Sequence, residues 1–252
     1  MELTLNKPLN LLAVINKTIK QLNNSDKIWW RGHADSSWGL IPSVFRKYEH
    51  DYEVKITNHF KRIAPALYNQ CPTDDFDWLC LMQHYGLPTR LLDWTESPLV
   101  ALYFAVFDEQ YDSKSGILYA MNPKSLNKDQ ISTNAIAAVQ KPIVQKIAHD
   151  AFIHKSDGDF NVVAVYPNYT DIRMLVQRSV VTIHDSSMPI EEISRDSEKF
   201  LHKIFIPAEY KEQLRQVLTM LGVNLLGIFP DLQNLAKDLK NSNIPPETAE
   251  FT

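Results

Sequence analysis

Arg31 follows two tryptophans, Trp29 and Trp30, and precedes Gly32. An arginine leaving an aromatic strand has its stem fixed and its planar fork exposed. The neighbouring glycine leaves room for close approach of a ligand. Such a fork suits bidentate contact with phosphate or carboxylate. The competing reading is a structural salt bridge, or a guanidinium stacked on Trp29 or Trp30.

A second polar concentration runs from Gln83 through His84, Tyr85, Thr89 and Arg90 to Asp93, Trp94 and Thr95. If Leu91 to Thr95 is extended, Leu91, Asp93 and Thr95 point to one face, and Leu92 and Trp94 to the other. Asp93, bracketed by Leu91, Leu92 and Trp94, is expected to be partly buried, and a buried carboxylate needs partners. Arg90, Arg31 and the free amides of the helix that follows are the candidates; helix N-termini favour anions. The plainer alternative is that Asp93 and Arg90 lock the fold. His84 has the side-chain chemistry of a general base, or it caps a helix end. Arg173 and Gln177 lie four residues apart and share a face on a helix or a strand. They serve one site or form a surface polar pair.

Other chemistries find no support. Seven glycines, at 32, 39, 86, 116, 158, 222 and 227, make neither G-x-G-x-x-G nor G-x-x-x-x-G-K-[ST]. A nucleotide would therefore be held by side chains. There is no G-x-S-x-G and no H-E-x-x-H, and His149 and His154, five apart, miss a shared helical face, so no metal set is expected. Cys71 and Cys80 read as two reduced thiols. The net charge of -4 disfavours general nucleic-acid affinity. No leader and no apolar run of membrane length is visible, so a cytoplasmic location and no membrane partner are expected.

The elements that must position these residues can be read from periodicity. Amphipathic helices are predicted over 9–22 and 51–67, the second with Tyr52, Ile56, Phe60 and Ile63 as its apolar stripe. A helix over 75–84 stops at Gly86. Ser97 as N-cap and Pro98 at the first helical position start a helix to about Phe107. That helix is apolar on all sides and belongs in the middle of the fold. Strands are predicted at 28–30, 91–95, 116–121, 162–166, 180–184 and 203–206. Residues 123–160 are weakly periodic, with one helix near 136–148. Residues 172–177 are helical or extended, 208–221 are helical, 225–229 are a strand or turn, and a last helix runs from Pro230 to about Leu239. One α+β domain results: a mixed sheet with a central buried helix and flanking helices.

At these residues the sequence resembles the FRG domain, named for an aromatic-Arg-Gly motif. Trp30-Arg31-Gly32 matches that motif, with Trp in the aromatic place. Leu40-Ile41-Pro42-Ser43 with Phe45-Arg46 is similar to a second element, and the Gln83–Thr95 block with Ser97-Pro98 and Ala101–Ala105 to a third. Arg173 and Gln177 resemble a late Arg-x-x-x-Gln element, while Ser179 and Val180 replace an expected glycine and aromatic. The FRG-like domain is then expected over 27–240, with an N-terminal helix in 1–26 as part of it and a loose tail over 241–252.

The resemblance implies a bacterial or phage-associated effector of the defence or toxin type. A more distant likeness to ADP-ribosyltransferases implies a similar fold and brings in NAD as the candidate cofactor; none is certain. In that likeness Arg31, Asp93, Thr95 and Gln177 form the catalytic set. Trp30, Gly32, Gln83, His84, Tyr85, Thr89, Arg90, Trp94, Ser97 and Arg173 line the ligand site, with Trp94 or Tyr85 stacking on nicotinamide. Gln177 stands where a glutamate is expected, and a neutral amide offsets ribosyl positive charge less well. Nucleotide binding without turnover, a non-catalytic module for a protein or nucleic-acid partner, and a purely structural subunit are the alternatives.

Overall fold

The computed structural model describes residues 2–5, 7, 10–22, 27–47, 51–153 and 161–241. His154 and residues 242–252, most of the expected tail, lie outside them. The chain runs β1 (Glu2–Thr4), α1 (Leu11–Gln21), β2 (Trp29–His33), α2 (Val44–Lys47), α3 (Tyr52–Ile63), α4 (Asp75–His84), β3 (Leu91–Thr95), α5 (Pro98–Val106) and β4 (Gly116–Met121). It continues through α6 (Pro123–Ile131), β5 (Ala137–Ala138), α7 (Pro142–Asp150), β6 (Val162–Tyr166), α8 (Ile172–Val176), β7 (Ser179–His184) and β8 (Leu201–Ile206). It ends with α9 (Lys211–Met220), α10 (Leu225–Ile228) and α11 (Leu232–Asn241). The fold is mixed α+β, as expected.

The strands form one eight-stranded mixed sheet in the order β1-β8-β4-β2-β3-β7-β6-β5. The end pairs β1–β8 and β5–β6 are parallel, and the others are antiparallel. Strand alternation divides the core by face. On β4, Leu118 and Ala120 pack with Trp30 and with α1, α5 and α9, while Ile117, Tyr119 and Met121 pack on the far side with Trp29, Leu92 and Trp94. A third cluster joins Leu91 of β3, Val181 and Ile183 of β7, and α4 and α7. One face of the sheet thus carries two cores side by side. The boundary between them falls at β2 and β3.

That boundary is a gap in the ladder. β2 pairs with β4 from Trp29↔Met121 to His33↔Ile117, but with β3 only at Trp30↔Thr95. From there the two strands diverge. α5 packs over β2 so closely that a Cβ on Gly32 would sit 1.8 Å from the Ala101 carbonyl oxygen. Its start follows the sequence signals, with Ser97 Oγ accepting from the Val100 amide and Pro98 at the first position.

Three readings need correction. Residues 225–229 are neither strand nor turn but α10, because the Asn224 side chain accepts from the Gly227 amide and caps a helix there. The helix near 136–148 is shifted to α7, led by Pro142. Ala137–Ala138 is a short strand, and α6, capped by Asn122, lies upstream. The amphipathic helix α3 turns its polar side inward. Glu53 and Thr57 are buried, whereas Ile56 and Phe60 are partly exposed and Ile63 is exposed. The cause is the C-terminal end of α7, whose carbonyls lack intrahelical partners. Thr57 Oγ donates to the Ala151 carbonyl (2.9 Å) and Asn58 Nδ2 to that of Phe152 (2.7 Å).

Candidate functional site

The gap between β2 and β3 opens as a cleft of about 300 Å³. Arg31, Asp93, Thr95 and Gln177, drawn from distant parts of the chain, all line it. So do Trp30, Gly32, Trp94 and Arg173. A smaller hollow of about 80 Å³ shares Asp93, Arg173 and Gln177 with it and adds Gln83, His84 and Cys80.

Arg31 bridges the gap. Because β3 has left the ladder, the Asp93 carbonyl has no strand partner on this side, and Arg31 Nη1 donates to it at 2.5 Å. Arg31 Nε donates to His33 Nε2 at 2.9 Å. That contact fixes the imidazole proton on Nδ1, which donates to the Trp38 carbonyl at 3.2 Å. His33 is thereby a neutral strut. Burial, and then the Arg31 charge, hold its pKa down to about 3. Burial also lowers the Arg31 pKa to about 10, against the opposing pull of Asp93. Arg31 remains a cation at neutral pH, one that has lost hydration. Among the described residues no carboxylate forms a salt bridge with it, and its Nη2 has no protein partner. An anion entering the cleft would supply what burial has removed.

Asp93 departs from expectation. Its carboxylate is exposed rather than buried, because the parted strands admit solvent. Gln83 Nε2 donates to Asp93 Oδ1 at 2.6 Å, and Thr89 Oγ donates to Gln83 Oε1. This chain sets the amide of Gln83 and orients the carboxylate. Arg90 is not a partner of Asp93. It is buried against Glu53 (2.6 Å) and donates to the Ile147 carbonyl, so it ties β3 to α3 and α7.

α8 supplies the opposite wall. Asp171 caps it by accepting from the Met174 amide at 3.0 Å, and also meets His84 Nδ1 at 3.1 Å. The end of α4 is thus pinned to the start of α8. Arg173 lies 4.6 Å over the Phe229 ring, and Gln177 Nε2 donates to the Ile228 carbonyl at 3.0 Å. Thr95 Oγ donates to the Gln177 carbonyl at 2.6 Å and accepts from the Ser97 amide at 3.0 Å, so both sides of this hydroxyl are engaged. Ser97 is a cap outside the cleft lining. Tyr85 points away, into a separate apolar cavity.

Sequence reasoning missed His33 and Trp38 as lining residues, and noted Arg46 and Phe104 only as parts of motifs. His33 had a usable signal, since it lies two residues beyond Arg31 and shares its face on an extended strand. Trp38 had none. Arg46 donates from Nε to the Ile41 carbonyl at 2.8 Å and brings a third guanidinium to the cleft.

Comparison with curated proteins and with solved structures returns no match. A family model does match, over residues 26–114, and it is described as FRG domain. The late Arg173 and Gln177 fall outside that stretch. The aromatic-Arg-Gly strand, the Gln83–Thr95 block and helix α5 fall inside it, so residues 26–114 carry an FRG domain.

Proposed function

We propose that the cleft binds a nucleotide-like anion, with Arg31 on a phosphate or diphosphate group, and that the ligand is NAD. The observation that carries this reading is the meeting of three guanidiniums, from Arg31, Arg46 and Arg173, in one cleft with a single lining carboxylate, Asp93. Arginine forks suit phosphate oxygens, and a partly desolvated cation gains most from a charged partner. Lining aromatics, Trp38 and Phe104 among them, offer faces for a base or for nicotinamide.

In transfer chemistry the bond between nicotinamide and ribose C1′ breaks. Its electron pair leaves with nicotinamide, and an acceptor's lone pair forms the new bond at C1′. Positive charge on the ribose needs an anionic neighbour. Gln177 is neutral, so this role passes to Asp93, whose carboxylate is already oriented by Gln83. Thr95 positions the wall, and Gln177 offers its amide oxygen to a ribose hydroxyl. The chain would then act as an effector of the defence or toxin type. Binding without turnover is the second reading. It is favoured by the ties on Gln177 Nε2 and on both sides of the Thr95 hydroxyl.

Incubation with NAD labelled in the nicotinamide ring tests the two. Transfer or hydrolysis predicts nicotinamide release, slowed about 100-fold in Asp93→Asn, with ADP-ribose affinity within about threefold of wild type. Tight binding with no release selects the second reading. Neither release nor binding at millimolar NAD defeats both.

A further inference from the structure

A cavity of about 820 Å³ lies outside the cleft and is walled by α3, the turn after it and the end of α4. It falls within the roughly 300–1,000 Å³ range of ligand pockets. Its walls include Ile56 and Ile63, together with Phe60, which also packs edge-on against Trp78, and Leu67, Leu81 and Tyr85. Leu67 is 83% exposed and Tyr85 60%. The inversion of α3 explains why these side chains are not covered from within. The helix is held by Glu53 on Arg90, by Thr57 on the end of α7 and by Phe60 on Trp78, so Ile56 and Ile63 are left to line a hollow.

The polar edge of this hollow is made by the Lys55 ammonium and the His59 imidazole. Lys55 and His59 line it, one turn apart on α3, and Arg62 follows one turn later with Nη2 at 3.4 Å from His59 Nδ1. Among the described residues no acidic side chain lines the cavity. The only acid on α3, Glu53, faces the other way and is committed to Arg90. An apolar slot with a cationic edge complements a linear apolar body carrying one anionic head.

We propose that this cavity is a binding site for a fatty-acid-type carboxylate, with the chain along Ile56, Phe60 and Leu67 and the head at Lys55 and His59. This inference does not rest on the NAD reading, and its test leaves the cleft intact.

The test is isothermal titration of the full chain with dodecanoate below its micellar concentration, beside dodecanol. Saturable one-to-one binding is expected, about fivefold weaker for dodecanol and for Lys55→Glu. Leu67→Asp, at a side chain that the fold does not bury, and Ile56→Asp should weaken it further while the melting temperature of Leu67→Asp stays unchanged. Absent or non-saturable uptake overturns the proposal, as does equal affinity in Leu67→Asp and wild type. Equal affinity for dodecanol overturns the role of the cationic edge. Pelleting with anionic vesicles without dodecanoate binding would give the face to a membrane. Concentration-dependent dimers lost in Leu67→Asp would give it to a second copy, and either outcome overturns the assignment.

Discussion

Arg31 enters the cleft with its fork already aimed, because His33 and the Asp93 carbonyl hold two of its nitrogens. The hold depends on a neutral imidazole, since a protonated His33 could not accept from Arg31 Nε. Burial keeps His33 and His184 unprotonated in the folded state, each with a pKa near 3. In the unfolded chain both take a proton near pH 6.5. The folded form therefore binds fewer protons between those values. Stability is full above pH 6.5 and falls as pH drops through that window. Two such groups steepen the fall by roughly 2–3 kcal/mol per pH unit below pH 6. Urea midpoints measured from pH 7 to pH 4.5 should fall less steeply in His33→Asn than in wild type. Equal slopes would mean that His33 is not held neutral. At this scale the sequence was informative about which residues matter and less so about how they are satisfied. Trp30-Arg31-Gly32 and Asp93 could be read as polar groups set in apolar runs. That Asp93 would be solvated, and Arg90 committed to Glu53, depends on strands parting and on a helix 37 residues upstream in sequence.

The elements explain why the cleft exists. β2 is clamped between β4 and α5, and its contact with α5 admits no side chain at Gly32, where an added Cβ meets backbone atoms of Ala101 and Ala105. Gly32→Ala should destabilise the fold by about 3 kcal/mol through overpacking against backbone that cannot yield, read as a lower urea midpoint at unchanged m. A loss below about 0.5 kcal/mol would show that α5 can move off β2. Strong local signals placed α4, β3 and α5 within a residue or two of their ends: Ser97 as a cap, Gly86 as a stop, Pro98 as a start. α6 and α10 carried no such periodicity, being short and stabilised by Asn caps. The apolar stripe of α3 was correctly located, but periodicity alone does not say which face is inside. The unpaired carbonyls at the end of α7 reverse the usual choice.

The whole molecule carries a net charge of -4 yet gathers Arg31, Arg46 and Arg173 around one opening. Net charge governs long-range attraction, while a cleft between two half-cores governs what is held once it arrives. β2 pairs along its length with β4 and β3 with β7, and the arginines meet at the seam between β2 and β3, which are joined at Trp30↔Thr95. The central claim is that this seam is an anion site centred on Arg31. Its most direct test is isothermal titration of ADP-ribose into wild type and Arg31→Ala at low salt. The account predicts saturable binding to wild type, weakened about 10- to 100-fold in Arg31→Ala as charge-assisted hydrogen bonds are lost, with the melting temperatures of the two proteins close. Equal affinity in both proteins, or loss of folding in Arg31→Ala without any ligand binding by wild type, would contradict it.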